Sequence, residues 1–283
     1  MGKADNVAVY MYHHVCGEPG SLAVTAQNFE NQLQGLAKAG YRTLGADEFA
    51  AFLAGQPVPR KSVVLTFDDG YLDNWVYAHP VLQRYGMKAI LFTITGLIGD
   101  GPVRPHAGQG GPLPECPPHD IAKVQMYGDS RDAVMLRWDE IHAMVKAGTF
   151  EIHSHTHTHT RWDRLCDSAD EKCERFYEDM LASRDTLVSR LGAASRHLCW
   201  AQGYFDDDYQ RIASQLGFDH QYTTDARGQN RAGQNPGHIY RLTIRNRPWP
   251  WMRQRTWLAT HPVAGPLYNR WKAQGVRAVF ERA

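Results

Sequence analysis

The densest chemistry in the chain lies in residues 151–160. There Glu151-Ile152 runs into His153, His155, His157 and His159, alternating with Ser154, Thr156, Thr158 and Thr160. Neutral imidazole is the commonest protein ligand for a transition metal, so such a run is a candidate metal centre. A second stretch, Thr66-Phe67-Asp68-Asp69-Gly70, carries two adjacent carboxylates. Neither stretch is complete alone. Together they offer nitrogen ligands, a carboxylate ligand and a spare carboxylate, the donor set of a hydrolytic metal site with a base beside it. Each has an ordinary alternative: Asp-Asp-Gly is a common strand-ending turn, and alternating histidines can line a solvated strand edge. Two matching signals at strand ends in one chain favour the metal site over both.

The elements that must carry these residues alternate. Residues 7–12, VAVYMY, read as a short apolar strand that delivers His13 and His14. Residues 62–67 are apolar in succession at Val63, Val64 and Leu65, as expected of a parallel strand covered on both faces. Further strands are expected at 41–44, 88–95, 150–153, 197–200, 219–223 and 239–244. Helices are expected at 26–39, where Phe29, Leu33, Leu36 and Ala37 share a face, and at 47–53, 73–84, 138–147, 170–191 and 206–216. This alternation predicts a parallel α/β fold. In such folds functional groups gather at the carboxyl ends of strands, which is where His13, Asp68, Asp69, His155, His159 and Gln202 all fall. Residues 96–134 are rich in Gly and Pro without a period. They are expected to be an insertion over the rim that carries Asp68. Residues 245–257 are crowded with Arg and Trp, and either line a groove or pack the barrel bottom.

Composition narrows the function. A net charge of +1 over 283 residues gives no reason to expect nucleic-acid binding or attraction to a membrane surface. No apolar run approaches a membrane span, and the first residues lack the pattern of a secretion signal. The five cysteines, Cys16, Cys116, Cys166, Cys173 and Cys199, are odd in number and without zinc-finger spacing. They are expected to be reduced, which points to the cytoplasm; a trimmed export signal would instead place the protein in the periplasm or cell envelope.

The motifs resemble those of the polysaccharide deacetylases, the NodB-type carbohydrate esterases of family 4. Thr66-Phe67-Asp68-Asp69-Gly70 matches that family's TFDDG motif. His155-Thr156-His157-Thr158-His159 matches its His-Thr-x-x-His motif, and Trp138-Asp139 its Trp-Asp before the histidines. Tyr12-His13 is similar to the Tyr-His opening of members acting on poly-N-acetylglucosamine. The stretch LCWAQGYFD, 198–206, resembles the third motif, with Ala201-Gln202 standing where Pro-Tyr is usual. Two departures accompany the match. No arginine in the third motif corresponds to the one that orients the base, and the late Leu-x-His motif has only Ala259-Thr260-His261 as a counterpart.

The resemblance implies an irregular (β/α) barrel of seven strands with a long insertion at the catalytic rim. It implies one catalytic domain over 1–283, with the insertion at about 96–134 and a C-terminal extension at about 246–283. It also implies a metal-dependent hydrolase that removes N-acetyl groups from a sugar in a glycan or glycoconjugate. The expected ligands are Asp69, His155 and His159 around one divalent metal, zinc first, with cobalt or nickel as alternatives. Asp68 is the expected base. His13, with His261 and His14 behind it, is the expected acid. Trp200, Gln202 and Tyr204 are expected to meet the carbohydrate. Two other readings stand beside this one: a carbohydrate-binding protein of the same fold that has lost catalysis, and an unrelated amidohydrolase.

The register of the histidines needs its own argument, because His153 with His157 and His155 with His159 have the same spacing. In a persisting strand all four would share a face, and that does not choose. His153 directly follows Glu151-Ile152 and belongs to the strand, where the interior is crowded. His155 and His159 reach past its end to the rim where Asp69 emerges. The family agrees, since a Thr follows its first ligand and Thr156 follows His155. His153 and His157 are therefore expected outside the ligand set.

Overall fold

Val63, Val64, Leu65 and Phe67 are each fully buried, so the strand that holds them has no solvent face and must lie inside a covered sheet. In the computed structural model, which describes residues 2–20 and 22–271, that strand is third along a curled parallel sheet. In chain order the strands are β1 Ala8–Tyr12, β2 His14–Cys16, β3 Ala23–Thr25, β4 Arg42–Thr43 and β5 Ser62–Asp69, followed by β6 Ala89–Thr93, β7 Phe150–Ser154, β8 His197–Cys199, β9 His220–Tyr222 and β10 Leu242–Thr243. The sheet runs β10-β1-β5-β6-β7-β8-β9, with β4 pairing to the start of β5. Seven strands on one path, all parallel, form the irregular (β/α) barrel expected.

One short stretch reaches both edges of this path. Ile239 bridges Tyr222 of β9, while Leu242 and Thr243 pair with Tyr10 and Met11 of β1. Residues 239–243 thus pull the sheet toward closure and hold Arg241 against its interior, where it is 1% exposed.

The helices are α1 Ala26–Lys38, α2 Ala46–Leu53, α3 His79–Arg84, α4 His119–Gln125, α5 Arg131–Val134, α6 Trp138–Lys146, α7 Ala169–Leu191, α8 Asp207–Gln215 and α9 Trp249–Thr260. Their ends follow local chemistry. Thr25, Ser168 and Asp206 accept a backbone N–H at the starts of α1, α7 and α8. Gly192, in the left-handed region, stops α7. Gly35 of α1 lets α9 approach: a Cβ there would lie 2.2 Å from the Trp249 ring.

Three expectations are corrected. Residues 73–84 are not one helix: a π-helical turn over Asn74–Ala78 precedes α3, and Pro80 sits in the first turn of α3, where no N–H is needed. The insertion 96–134 is not all loop, since it contains α4 and α5. Ala122 is the one buried side chain of α4, so no apolar period marked it. The two-stranded sheet of β2 and β3 was also missed, because three-residue strands carry almost no pattern. Of the stretch 246–283 expected as an extension, α9 and, after a turn at 261–263, a further helix over 264–271 are described; the rest lies outside the described residues. No helix among the described residues is long and apolar enough to cross a membrane.

Candidate active site

β5 ends with its two carboxylates pointing to different neighbours. Asp68 continues the strand opposite Phe92, and Asp69 pairs with Thr93 but takes φ 74°, turning its side chain over the rim. Asp69, Thr156, His159 and Gln202 are the non-glycine residues with positive φ among the described residues, and all four belong to this rim. Backbone held in a sparsely populated region is concentrated where geometry matters for function.

β7 ends at Ser154, so the histidine run does not stay a strand. His155 N still donates to the Thr93 carbonyl, at 2.9 Å. Thr156 then turns at φ 67°, and its Oγ1 accepts from His159 N at 2.9 Å. Asp179 of α7 gathers the loop, accepting from the backbone N–H of His157 and Thr158 and from the Thr158 hydroxyl. The result brings His155 Nε2 to 3.3 Å and His159 Nε2 to 3.7 Å from Asp69 Oδ1. His153 instead bonds Ser195 Oγ through Nδ1, at 2.8 Å, and His157 bonds Thr95 Oγ1 at 3.0 Å. Asp69, His155 and His159 therefore converge, and His153 and His157 do not join them.

The trio fits a metal ion. Two donors about 2.1 Å from a tetrahedral ion lie roughly 3.4 Å apart, close to both separations here. His155 Nδ1 lies 2.8 Å from the Cys199 carbonyl and donates there, which leaves Nε2 to face Asp69. Burial pulls His155 down, but Cys199, Asp69 and Asp68 raise it above its ordinary value, so a cation in this gap, a proton or a metal ion, is favoured. Asp69 Oδ1 is buried and accepts no hydrogen bond. A metal ion can take the place of that proton, since the two imidazole nitrogens and the carboxylate oxygen converge at metal-ligand spacing. Burial pushes Asp69 up, yet the imidazoles of His155, His159 and His13 hold it below the usual carboxylate range. Burial pushes His159 down to about 4, against the pull of Asp69. A carboxylate and a neutral imidazole are the forms a metal binds.

A second convergent group, Asp68, His155 and Cys199, is already filled. Arg241 Nη1 and Nη2 grip both oxygens of Asp68 at 2.7 and 2.8 Å, and Nη2 lies 2.9 Å from Cys199 Sγ. Thr66 Oγ1 and the Thr223 carbonyl take its remaining donors. Burial pushes Asp68 up, and Arg241, then His13 and His155, bring it net below its ordinary value. Arg241 was not anticipated. It stands some forty residues beyond the third motif, inside an apolar strand, YRLTI, and a lone arginine within an otherwise apolar strand was the signal available.

The remaining expected residues separate. His13 is partly buried in the same pocket, with Nε2 3.8 Å from Asp68 Oδ2 and its buried Nδ1 unpartnered. Burial lowers it, against the pull of Asp68 and Asp69. Trp200 and Gln202 line the pocket with Gly203, Thr224, Tyr71 and Leu22, and Trp200 Nε1 is buried without a partner. Tyr204 is turned out of it: its hydroxyl donates to Asp206 Oδ2 at 3.2 Å, and Arg161 lies 3.8 Å over its ring. His14 is buried behind the pocket lining, held by Asp73 Oδ2 at 2.5 Å, stacked on Tyr71 and 3.2 Å from His119 Nδ1 through Nε2. His261 is not at the pocket at all. It follows α9, where its Nδ1 accepts from Val263 and Ala264 N; the adjacent Thr260 carbonyl accepts from Asn6, at the amino end of β1. A residue at the entry end of the strands cannot serve a rim at their exit. The insertion contributes His119, Lys123, Met126 and Tyr127 to the pocket, and the Tyr127 hydroxyl lies 3.3 Å from His159 Nδ1.

Comparisons with known proteins bear on the fold and the family. The polysaccharide deacetylase family model matches residues 55–220. The Bacillus subtilis protein YxkH is 41% identical over 98 residues, which is 34% of this chain and 35% of that protein, so the match spans about a third of the relative's length. The poly-beta-1,6-N-acetyl-D-glucosamine N-deacetylase of Staphylococcus aureus is 21% identical over 228 residues, 79% of this chain and 68% of its own. Among solved structures, IcaB from Ammonifex degensii superposes with a TM-score of 0.69 at 24% identity, covering 90% of this chain and 98% of that one. The Streptococcus pyogenes deacetylase PplD, solved with acetate, gives 0.70 at 22% identity over 89% of this chain and 99% of its own. At these identities the superpositions establish the fold.

Proposed function

The chain belongs to the polysaccharide deacetylase family, and from that premise we propose that it is a metal-dependent hydrolase that cleaves the amide of an N-acetylated sugar in a glycan or glycoconjugate, releasing acetate. The observation that carries the reading is the pair of adjacent carboxylates with separate partners. Asp69 faces two imidazoles, and Asp68 is held by a buried guanidinium. One is built to ligate and the other to accept a proton.

Asp69, His155 and His159 would hold the ion. When bound, such an ion supplies Lewis acidity, acidifying a water and polarising the acetamide carbonyl. Asp68 takes the proton of the attacking water. Arg241 keeps both its oxygens in place and its charge negative at neutral pH, which is the state a base must start from. Trp200 and Gln202 line the pocket where the acetamide would lie. His13, whose Nε2 is 3.8 Å from Asp68 Oδ2, relays to the departing nitrogen the proton that Asp68 took from the water, so the C–N bond breaks to a free amine and acetate and Asp68 returns to its charged form. The buried Arg241–Asp68 pair supports this reading over that of a binding protein without catalysis. A base so restrained is costly to bury and has no use in a site that only binds.

Acetate release from defined N-acetylated glycans, with zinc or cobalt added to metal-stripped protein, tests the proposal. Metal-dependent release on at least one glycan is expected. Stoichiometric metal with no release from any of them would turn the reading toward a carbohydrate-binding protein.

A further inference from the structure

Beside the active site, the arginine-rich segment after β10 forms a groove of about 340 Å³ lined by Ala226, Thr243, Arg245, Arg247, Trp251 and Arg255. It lies on the catalytic rim. Ile244 N donates to the Met11 carbonyl, so Arg245 leaves β10 level with the end of β1 that delivers His13. Ala226 in the groove is two residues from Thr224 in the catalytic pocket.

The backbone that displays these arginines is tied down. Gln32 Nε2 donates to the carbonyls of Arg245 and Arg247, at 3.3 and 2.6 Å. Asn246, between them, accepts from Thr25 N, Thr25 Oγ1 and Asn28 Nδ2. With Asn246 turned inward, Arg245 and Arg247 face outward together. Trp251 and Arg255 are four residues apart on α9 and share a helix face. Arg255 is positioned by Tyr268, whose hydroxyl accepts from Nη1 at 2.8 Å.

What the groove lacks is an anion. Several arginines elsewhere are matched, Arg104 with Glu140, Arg137 with Asp132, Arg161 with Asp163 and Arg196 with Asp219; here three arginines without such a partner line one concavity. Among the described residues no carboxylate lies within salt-bridge distance of Arg245, Arg247 or Arg255. Three guanidiniums converging on one concavity repel each other, and a bidentate phosphate is the group that best relieves them.

We propose that Arg245, Arg247 and Arg255, with Trp251 as a stacking wall, form a subsite for a phosphate carried by the glycan whose N-acetyl group enters the neighbouring pocket. This rests on the deacetylase reading and narrows its substrate to a sugar bearing a phosphate ester. The half-buried indole suits a sugar ring attached to that phosphate. A concavity of about 340 Å³ has room for a phosphate and the sugar that carries it, whereas a bilayer would need a flat or protruding face.

Two measurements test it. Titration calorimetry with inorganic pyrophosphate should show binding that weakens as salt rises and falls about tenfold or more in R245Q/R247Q/R255Q. Acetate release should then be compared on a matched pair of N-acetylated oligosaccharides, one with a terminal phosphate and one neutral. The triple variant should raise KM for the phosphorylated glycan by about tenfold and leave the neutral one unchanged. Pyrophosphate binding that survives the triple substitution overturns the subsite, as does an equal loss on both glycans. Arginine-dependent sedimentation with phosphatidylglycerol vesicles, without preference between the glycans, assigns the groove to a membrane surface and also overturns it. Arginine-dependent pyrophosphate binding in a protein that releases acetate from no glycan keeps the anion site and sinks the deacetylase reading, so the two failures are distinct.

Discussion

Four histidines of one ten-residue run end in chemically opposite places. His155 and His159 turn toward Asp69 at the rim. His153 stays in β7 and joins a stack of rings, 4.8 Å from His197, which is 4.7 Å from His220. Both clusters are largely buried and rich in imidazole. In the first a carboxylate with a vacant lone pair lies between two imidazoles; in the second His153 meets only a serine hydroxyl and other rings, and the carboxylate of Asp219 sits at the outer end, bonded to His220 and Arg196. The titration behaviour diverges accordingly. Burial and His220 push His153 down to about 3. Burial also pulls on His155, but Cys199, Asp69 and Asp68 around it raise it well above its ordinary value. A histidine cluster becomes a metal site through its anionic partner and the turn that aims it, and imidazole density alone does not suffice.

The comparison can be broken most forcefully at the carboxylates. Asp68→Asn should lower acetate release at least a hundredfold with metal content unchanged, because the amide still packs against Arg241 but cannot take a proton. Activity within a few-fold of the unmodified protein would remove Asp68 from the role of base.

Next come the histidines themselves. His155→Ala or His159→Ala should weaken metal affinity by about a hundredfold or more, read by competition with a chelator, whereas His153→Ala and His157→Ala should retain most of it. Metal lost with His153 and kept without His159 would reverse the register.

A smaller effect is expected at Arg241. Arg241→Lys loses the two-pronged grip, and burial then raises Asp68 with less to oppose it. The acidic limb of the kcat/KM profile should move to higher pH, with activity at neutral pH down about tenfold. An unmoved limb would show that the guanidinium does not set the charge of Asp68.

The ring stack makes a prediction about stability. His153 is held below its unfolded value of about 6.5, so the unfolded chain binds a proton that the folded one refuses. Its contribution is complete above pH 6.5 and is lost as pH falls toward about 3. The slope is about 1.4 kcal/mol per pH unit for each proton excluded. His197, also lowered by burial and by His153 and His220, adds in the same sense. Denaturant melts between pH 7 and pH 4.5 should show His153→Gln flattening this dependence; a parallel loss in both proteins would acquit the stack.

The smallest effect belongs to His261. With its ring capping the turn after α9, His261→Ala should leave kcat/KM within a few-fold and cost about 1 kcal/mol of stability. A hundredfold loss of activity would return it to the site.

Much of this site was legible in residue types. Alternating apolar strands and amphipathic helices specify a parallel α/β architecture because burial on two faces demands it. Asp-Asp-Gly and the histidine run specify a rim, because polar groups in quantity cannot stay inside such strands. Even the register followed from where the strand had to end. Tertiary structure decided the rest. Arg241 reaches Asp68 across 173 residues of chain, only because residues 239–243 close the barrel between β9 and β1. His261 and Tyr204 had suitable chemistry and spacing, and only the packing of α9 and of the turn after Trp200 removed them. The turn through Thr156 and His159 is braced locally by Ser154 Oγ and Thr156 Oγ1 and from α7 by Asp179. Local sequence sets which groups a strand can deliver. Which of them meet is set by closure of the sheet, because that brings together residues with no short-range interaction to record their pairing.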